Sequence, residues 1–108
     1  MDATVEARLV AQLLTLQGSP TTVNGSAIGN GLWARAEPNR IQMLMGDLVA
    51  QQAVYEVKLA GSLWGQVHVG DEVTNVATGL HLVVRWVDVS DVGGVPVVVT
   101  LLGIALSE

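Results

Sequence analysis

Val5, Leu9, Leu13 and Leu16 recur at helical spacing along the first part of the chain, with Val10 and Leu14 widening the stripe and Glu6 and Arg8 lying off it. The pattern predicts an amphipathic helix over residues 2–17. Asp2 or Thr4 is suited to cap its start, and Gly18 with Ser19-Pro20 to end it: the glycine tolerates a left-handed backbone and the proline cannot continue a helix. From residue 20 to residue 106 the chain reads as strands. Thr21-Thr22-Val23 is rich in β-branched residues, Asn24-Gly25 suits both central positions of a type I′ turn, and Ser26-Ala27-Ile28 is the return strand. Gly29-Asn30-Gly31 breaks the regularity, and Leu32 to Ala36 then alternates towards Glu37-Pro38-Asn39.

Ile41, Met43, Leu44, Met45, Leu48 and Val49 fit neither period and have Gly46-Asp47 in their midst, so residues 40–51 read as a long loop with a helical turn. A connection of that length is more often functional than accidental. Ala53 to Ala60 alternates as a half-buried strand. Gln66 to Val69 is expected as a short strand before a Gly70-Asp71 bend, and Glu72 to Asn75 and Leu80 to Val89 follow. In the longer of these, Leu82, Val84 and Trp86 fall on one face against His81, Val83 and Arg85, which puts Trp86 in the core with Trp33. Val97 to Ile104, after the Gly93-Gly94 turn, is apolar on both faces and should be central or covered by a neighbouring subunit. Pro96 confines its beginning to an edge or a first strand position. The expected fold is a single domain over residues 1–108, mainly β. It is a small barrel or sandwich of about six strands, with the one N-terminal α-helix on its side or against a neighbour.

Composition adds a partner to this picture. Hydrophobic residues make up 50% of the chain and charged ones only 14%, more apolar surface than one small domain hides, so an oligomer or docked subunit is expected. The net charge of -5 repels a phosphate backbone and disfavours free-standing nucleic-acid binding. The start lacks the basic region of a signal peptide, and no apolar run reaches the ~18 residues of a membrane span, so a soluble chain with no membrane contact is expected.

Chemistry finds few footholds. Cysteine is absent, which excludes disulfides and thiolate metal sites. His68 and His81 have no Asp or Glu at ligand spacing on their strands, and Asp71-Glu72 and Asp88 with Asp91 sit beside turns, where carboxylates serve local hydrogen bonds. Gly25, Gly29 and Gly31 lead into a strand with no Gly-Lys-Ser/Thr, and no serine or threonine has the partners a nucleophile needs. No catalytic residue, metal or cofactor is predicted, and the chain is not expected to be an enzyme. Trp64, beside a turn, reads as an exposed anchor for a partner, together with Leu9 and Leu13 of the helix.

Taken in order, the segments Leu32-Trp33-Ala34-Arg35-Ala36-Glu37-Pro38, Tyr55-Glu56-Val57-Lys58-Leu59, Val69-Gly70-Asp71-Glu72-Val73, Gly79 to Val87 and Val97 to Leu102 resemble the head-tail joining proteins of tailed bacteriophages. These are also called head-completion or stopper proteins. The resemblance implies a structural virion protein of the phage neck, made in the bacterial cytoplasm. It would form a homo-oligomeric ring beside the portal, its adaptor and the tail, retaining packaged double-stranded DNA that it touches only transiently. In that family a loop between two strands can point into the channel, and by position it corresponds to Pro38 to Gln52. The resemblance thus makes Pro38, Arg40, Met43, Leu44, Met45 and Asp47 candidate channel-loop residues, with the apolar three suited to closure or ring contacts. A tail terminator or adaptor of the same neck, or a small β-barrel module binding a ligand or single-stranded nucleic acid, is the alternative.

Overall fold

The computed structural model describes residues 3–36 and 54–106. Helix α1 spans Ala3–Gln17, so Thr4 lies inside it rather than capping it. Strands β1 (Ser19–Val23), β2 (Ser26–Arg35), β3 (Val54–Ala60), β4 (Glu72–Asn75), β5 (His81–Val92) and β6 (Val95–Ala105) follow, with a short 3-10 turn at Gly61–Leu63 after β3. Every strand pairing is antiparallel, and the order β1-β2-β3-β6-β5-β4 closes on itself where β1 meets β4. The barrel expected from the sequence is therefore present, with the helix packed on its side.

Local sequence explains the first turns of the chain. Asn24 and Gly25 both adopt positive φ, 50° and 86°, the backbone a type I′ hairpin needs between β1 and β2. At the end of α1 the Gly18 N–H donates to the Leu14 carbonyl, but Gly18 itself is not in a left-handed conformation. It is small because a Cβ would lie 2.3 Å from the Leu14 oxygen and 3.0 Å from the Asn30 Cβ. Asn30 Nδ2 also donates to that carbonyl, which ties the helix end to β2.

Two expectations about the strands are corrected. The Gly29-Asn30-Gly31 stretch does not break β2, because the register shifts between Thr21 and Thr22 and Ile28 becomes the extra residue of a bulge; pairing then continues through Gly29, Asn30 and Gly31. Residues 66–69 form no strand. They belong to the connection from β3 to β4, which crosses an end of the barrel and turns Val67, 3% exposed, into the core. Beyond it the Gly70 N–H donates to the Val84 carbonyl and the Val84 N–H to the Asp71 carbonyl, pinning the connection along β5.

Inward positions of all six strands fill the barrel: Val23, Val57, Leu59, Val73, Leu82, Val84, Val99 and Leu101 are buried, and Trp33 packs against them from β2. At about 1.5–3 kcal/mol per fully buried aliphatic side chain, this cluster is the main source of stability. Buried Thr21 has its hydroxyl satisfied, since Oγ1 accepts from Trp33 Nε1 at 3.0 Å and donates to the Ser19 carbonyl. As the run apolar on both faces implied, β6 is covered along both edges, by β3 and β5, and Pro96 is its second residue, opposite Asp91 at a register shift.

Trp86 is the third correction. A bulge between Val84 and Trp86 makes Arg85 the extra residue, so alternation inverts: Val84 and Val87 point inward, while Trp86 pairs with Leu102 on the outer face. There it packs against Ala36, Val54 and Leu102, a second cluster outside the barrel.

Gly31 occupies an inward position where a Cβ would come within 2.9 Å of Leu59 Cδ2, 3.0 Å of Thr21 Oγ1 and 3.1 Å of Val57 Cγ1. Gly31→Ala is expected to lower unfolding stability by about 1–3 kcal/mol through overpacking, measured by urea unfolding. An unchanged midpoint would contradict the packing described around that position.

Candidate interaction surface

Helix α1 meets the barrel through one side only. Leu14 is its buried residue and Val10 is half-buried, whereas the Val5, Leu9, Leu13 and Leu16 stripe faces away. Leu9 and Leu13 are 48% and 43% exposed and Leu16 82%, far more than an apolar helix face has when it lies on a core. From Val5 to Leu16, eleven steps of about 1.5 Å rise, the stripe is about 16 Å long. The stripe that predicted the helix is thus largely its outer face.

A second apolar region forms where the β3–β4 connection lies along β5. Trp64, His68 and Val69 on one side and Arg85, Trp86 and Val87 on the other line an open cleft of about 380 Å³. Trp64 is 46% exposed, as its place beside a turn implied, and Val69 is exposed as well. The β5 bulge produces the polar element of this cleft: as the unpaired residue Arg85 is turned out of the ladder. Among the described residues its guanidinium makes no hydrogen bond or ion pair. The other strand cations differ, since Lys58 lies 3.7 Å from Glu56 and Arg35 stacks 5.4 Å from the Tyr55 ring centre.

The cleft wall is held by a local turn. The His68 N–H donates to Asp71 Oδ2 at 2.8 Å, the Asp71 N–H returns to the His68 carbonyl at 3.0 Å, and His68 Nδ1 stands 3.8 Å from the same carboxylate. The His68 N–H is the main reason the Asp71 carboxyl is held below its ordinary value; burial opposes it, and the Asn24 side chain and the His68 charge assist. Asp91 Oδ2 similarly accepts from the Gly94 N–H in the β5–β6 turn. Asp71 and Asp91 thus do the turn work anticipated for them, and among the described residues no three His, Asp or Glu side chains gather into a metal-binding group. His81 is exposed at the start of β5, remote in sequence and role from the His68 turn.

Pro38, Arg40, Met43, Leu44, Met45 and Asp47 lie outside the described residues, as does the loop expected over 40–51. Where the chain leaves and returns is defined: Arg35 pairs with Tyr55, and the Ala36 N–H donates to the Val54 carbonyl at 3.0 Å. Ala36 and Val54 both touch the outer cluster to which Trp86 belongs, so that cluster and the cleft share one tryptophan. The sequence pointed to Trp64, Leu9 and Leu13 but not to Arg85 or Trp86 as surface residues. Their only signal was a charge inside a valine-rich strand, which does not reveal a bulge. No helix among the described residues is long and apolar enough to cross a membrane. Comparison with models of known protein families and with curated protein sequences finds no match.

Asp71→Ala is expected to destabilise the protein by about 1 kcal/mol at neutral pH, by removing the acceptor for the His68 N–H. Because the native pKa is lowered, the stabilisation is fully present above the ordinary value of 3.8 and is lost as the pH falls through the native one. Unfolding curves of the two proteins should therefore converge in acid; a gap that persisted or widened there would contradict this role.

Proposed function

We propose that the protein is a structural subunit of the neck of a tailed-phage or phage-like particle, a head-tail connector of the stopper or head-completion type. One observation carries this reading: a closed barrel with a filled interior bears its unspent apolar surface outside, on α1 and at the Trp64 cleft, as a ring subunit would. The ordered motif resemblance from Leu32 to Leu102 supports it, and so does the position of the segment aligned with the family's channel loop, whose two ends meet beside each other at the end of the β2–β3 pair. The ring would contact portal or adaptor on one side and tail proteins on the other, and packaged DNA would pass through it. A chain of net charge -5 suits such a wall, since DNA can slide past without being held by it.

The cleft favours a second reading, a small barrel that binds a ligand or single-stranded nucleic acid between Trp64 and Trp86. Tryptophan fluorescence titrated with oligonucleotides at low salt separates the two, because a neck subunit should give no response.

Inactivating the gene in the particle that carries it, followed by electron microscopy of the lysate, tests the neck function. Separate heads and finished tails are expected, with heads emptied of DNA for a stopper. Full heads left unjoined would indicate an adaptor, and tails of uncontrolled length a tail terminator. Normally joined particles would contradict any role in the neck.

A further inference from the structure

Asparagine stands directly before glycine at Asn24-Gly25 and again at Asn30-Gly31. In such a pair the glycine nitrogen can attack the asparagine side chain, because the glycine carries no side chain of its own to obstruct it. The fold places the two pairs in opposite surroundings. Asn30 lies half-buried inside β2, opposite Pro20, and its Nδ2 donates to the Leu14 carbonyl. Gly31 is packed against Leu59, Thr21 and Val57, which leaves that stretch of backbone no room to turn. Asn24 and Gly25 instead form the exposed β1–β2 turn, and no atom lies within 4 Å of the place a Cβ on Gly25 would occupy.

What holds Asn24 is the junction between β1 and β4. Its Oδ1 accepts from the Glu72 N–H at 2.9 Å, and its N–H donates to the Glu72 carbonyl at 2.8 Å. The Asp71 carboxylate is close by, and the Asn24 side chain helps to keep it ionised. The ladder behind these contacts runs only from the Thr21–Asn75 couple to the Val23–Val73 couple. A pairing that short opens more often than the whole barrel unfolds.

We infer that Asn24 is a site of spontaneous covalent modification, deamidation to aspartate and isoaspartate, gated by opening of the β1–β4 junction. Closing the ring requires the side chain to rotate over the Gly25 nitrogen and so to leave Glu72, which the paired strands prevent. In the open junction the Gly25 nitrogen attacks Asn24 Cγ. The N–Cγ bond forms, the Cγ–Nδ2 bond breaks, and Nδ2 leaves as ammonia with the proton that the glycine nitrogen gives up. Solvent water then adds at one of the two ring carbonyls and opens the ring, to aspartate or to isoaspartate. Aspartate places a second carboxylate beside Asp71, and like charges in contact oppose closure. Isoaspartate adds a carbon to the backbone of the tight turn between Val23 and Ser26. The conversion runs one way, so it acts as a covalent clock on the closure of the barrel, whatever the protein joins.

Peptide mapping by mass spectrometry, on wild-type protein incubated at neutral pH in buffer and in denaturing urea, tests it. In urea both pairs should convert at similar rates, since the local chemistry is the same. In buffer Asn24 should convert at least about tenfold faster than Asn30, because its opening is local, and more slowly than it does in urea. Equal rates for the two asparagines in buffer would overturn the local gate. So would an Asn24 that stays intact in buffer while it converts in urea, or one that converts equally fast in both. Protein aged until Asn24 has converted should exchange its β1 and β4 amides about tenfold faster than fresh protein, with β3 and β6 protected as before. Asn24→Asp should exchange them faster without ageing, which assigns the change to this residue. Unchanged exchange in either would overturn the effect on closure. Every one of these outcomes leaves the neck function where it stands, and joined particles after gene inactivation would leave the Asn24 chemistry untouched.

Discussion

The barrel depends on one short seam. β1 and β4 pair through only three residue couples, Thr21 with Asn75, Thr22 with Thr74 and Val23 with Val73, and without them the sheet would have two open edges. Asn24 reinforces the seam: its N–H donates to the Glu72 carbonyl at 2.8 Å and its Oδ1 accepts from the Glu72 N–H at 2.9 Å. The residue that turns the β1–β2 hairpin therefore also clasps the strand that closes the barrel. At the other end of the seam the Val76 N–H donates to the Pro20 carbonyl, and buried Asn75 accepts through Oδ1 from the Ala77 and Thr78 N–H groups. Turn chemistry thus supplies at both ends what the ladder is too short to supply itself.

Closure determines where function can reside. Among the described residues the interior is filled by Val57, Leu59, Leu82, Leu101 and their neighbours, so the exposed apolar side chains lie on the outer face. The β5 bulge is the device that furnishes that face. By inserting Arg85 it sends Trp86 outward to meet Leu102 and leaves a guanidinium beside an aromatic cleft. Closure pairs the strands among themselves along most of their length, so in the proposed assembly contact between subunits falls to side-chain surfaces such as this cleft and α1.

Much of this architecture was legible in the sequence where local rules act alone. The helix followed from a stripe at period 3.6, the first hairpin from Asn24-Gly25 and the last from Gly93-Gly94, because turn backbone and side-chain spacing are decided within a few residues. What failed depended on partners distant in sequence. Gly29-Asn30-Gly31 looked like a break because the bulge that accommodates it needs β1 opposite, and Trp86 looked buried because alternation carries no mark of an inserted residue. Gln66 to Val69 alternates acceptably but has no strand to pair with once Val67 is turned into the barrel end. For the candidate site, the exposure of Trp64 was expected from its place beside a turn, while the outward placement of Arg85 and Trp86 needed the three-dimensional register. The helix stripe itself was read correctly as a helix, yet most of it faces away from the core that such a stripe ordinarily covers.

Hydrogen–deuterium exchange of the wild-type protein, recorded at low and at high protein concentration, tests most directly whether this outer surface is an interface. The strand amides of β3, β5 and β6 should be protected at both concentrations, since the barrel is complete in each subunit. Peptides covering α1 and residues 64–71 should gain protection as concentration rises if the proposed ring covers them. Exchange in those two segments that does not change with concentration would contradict the claim that the exposed stripe and cleft are made to meet another copy.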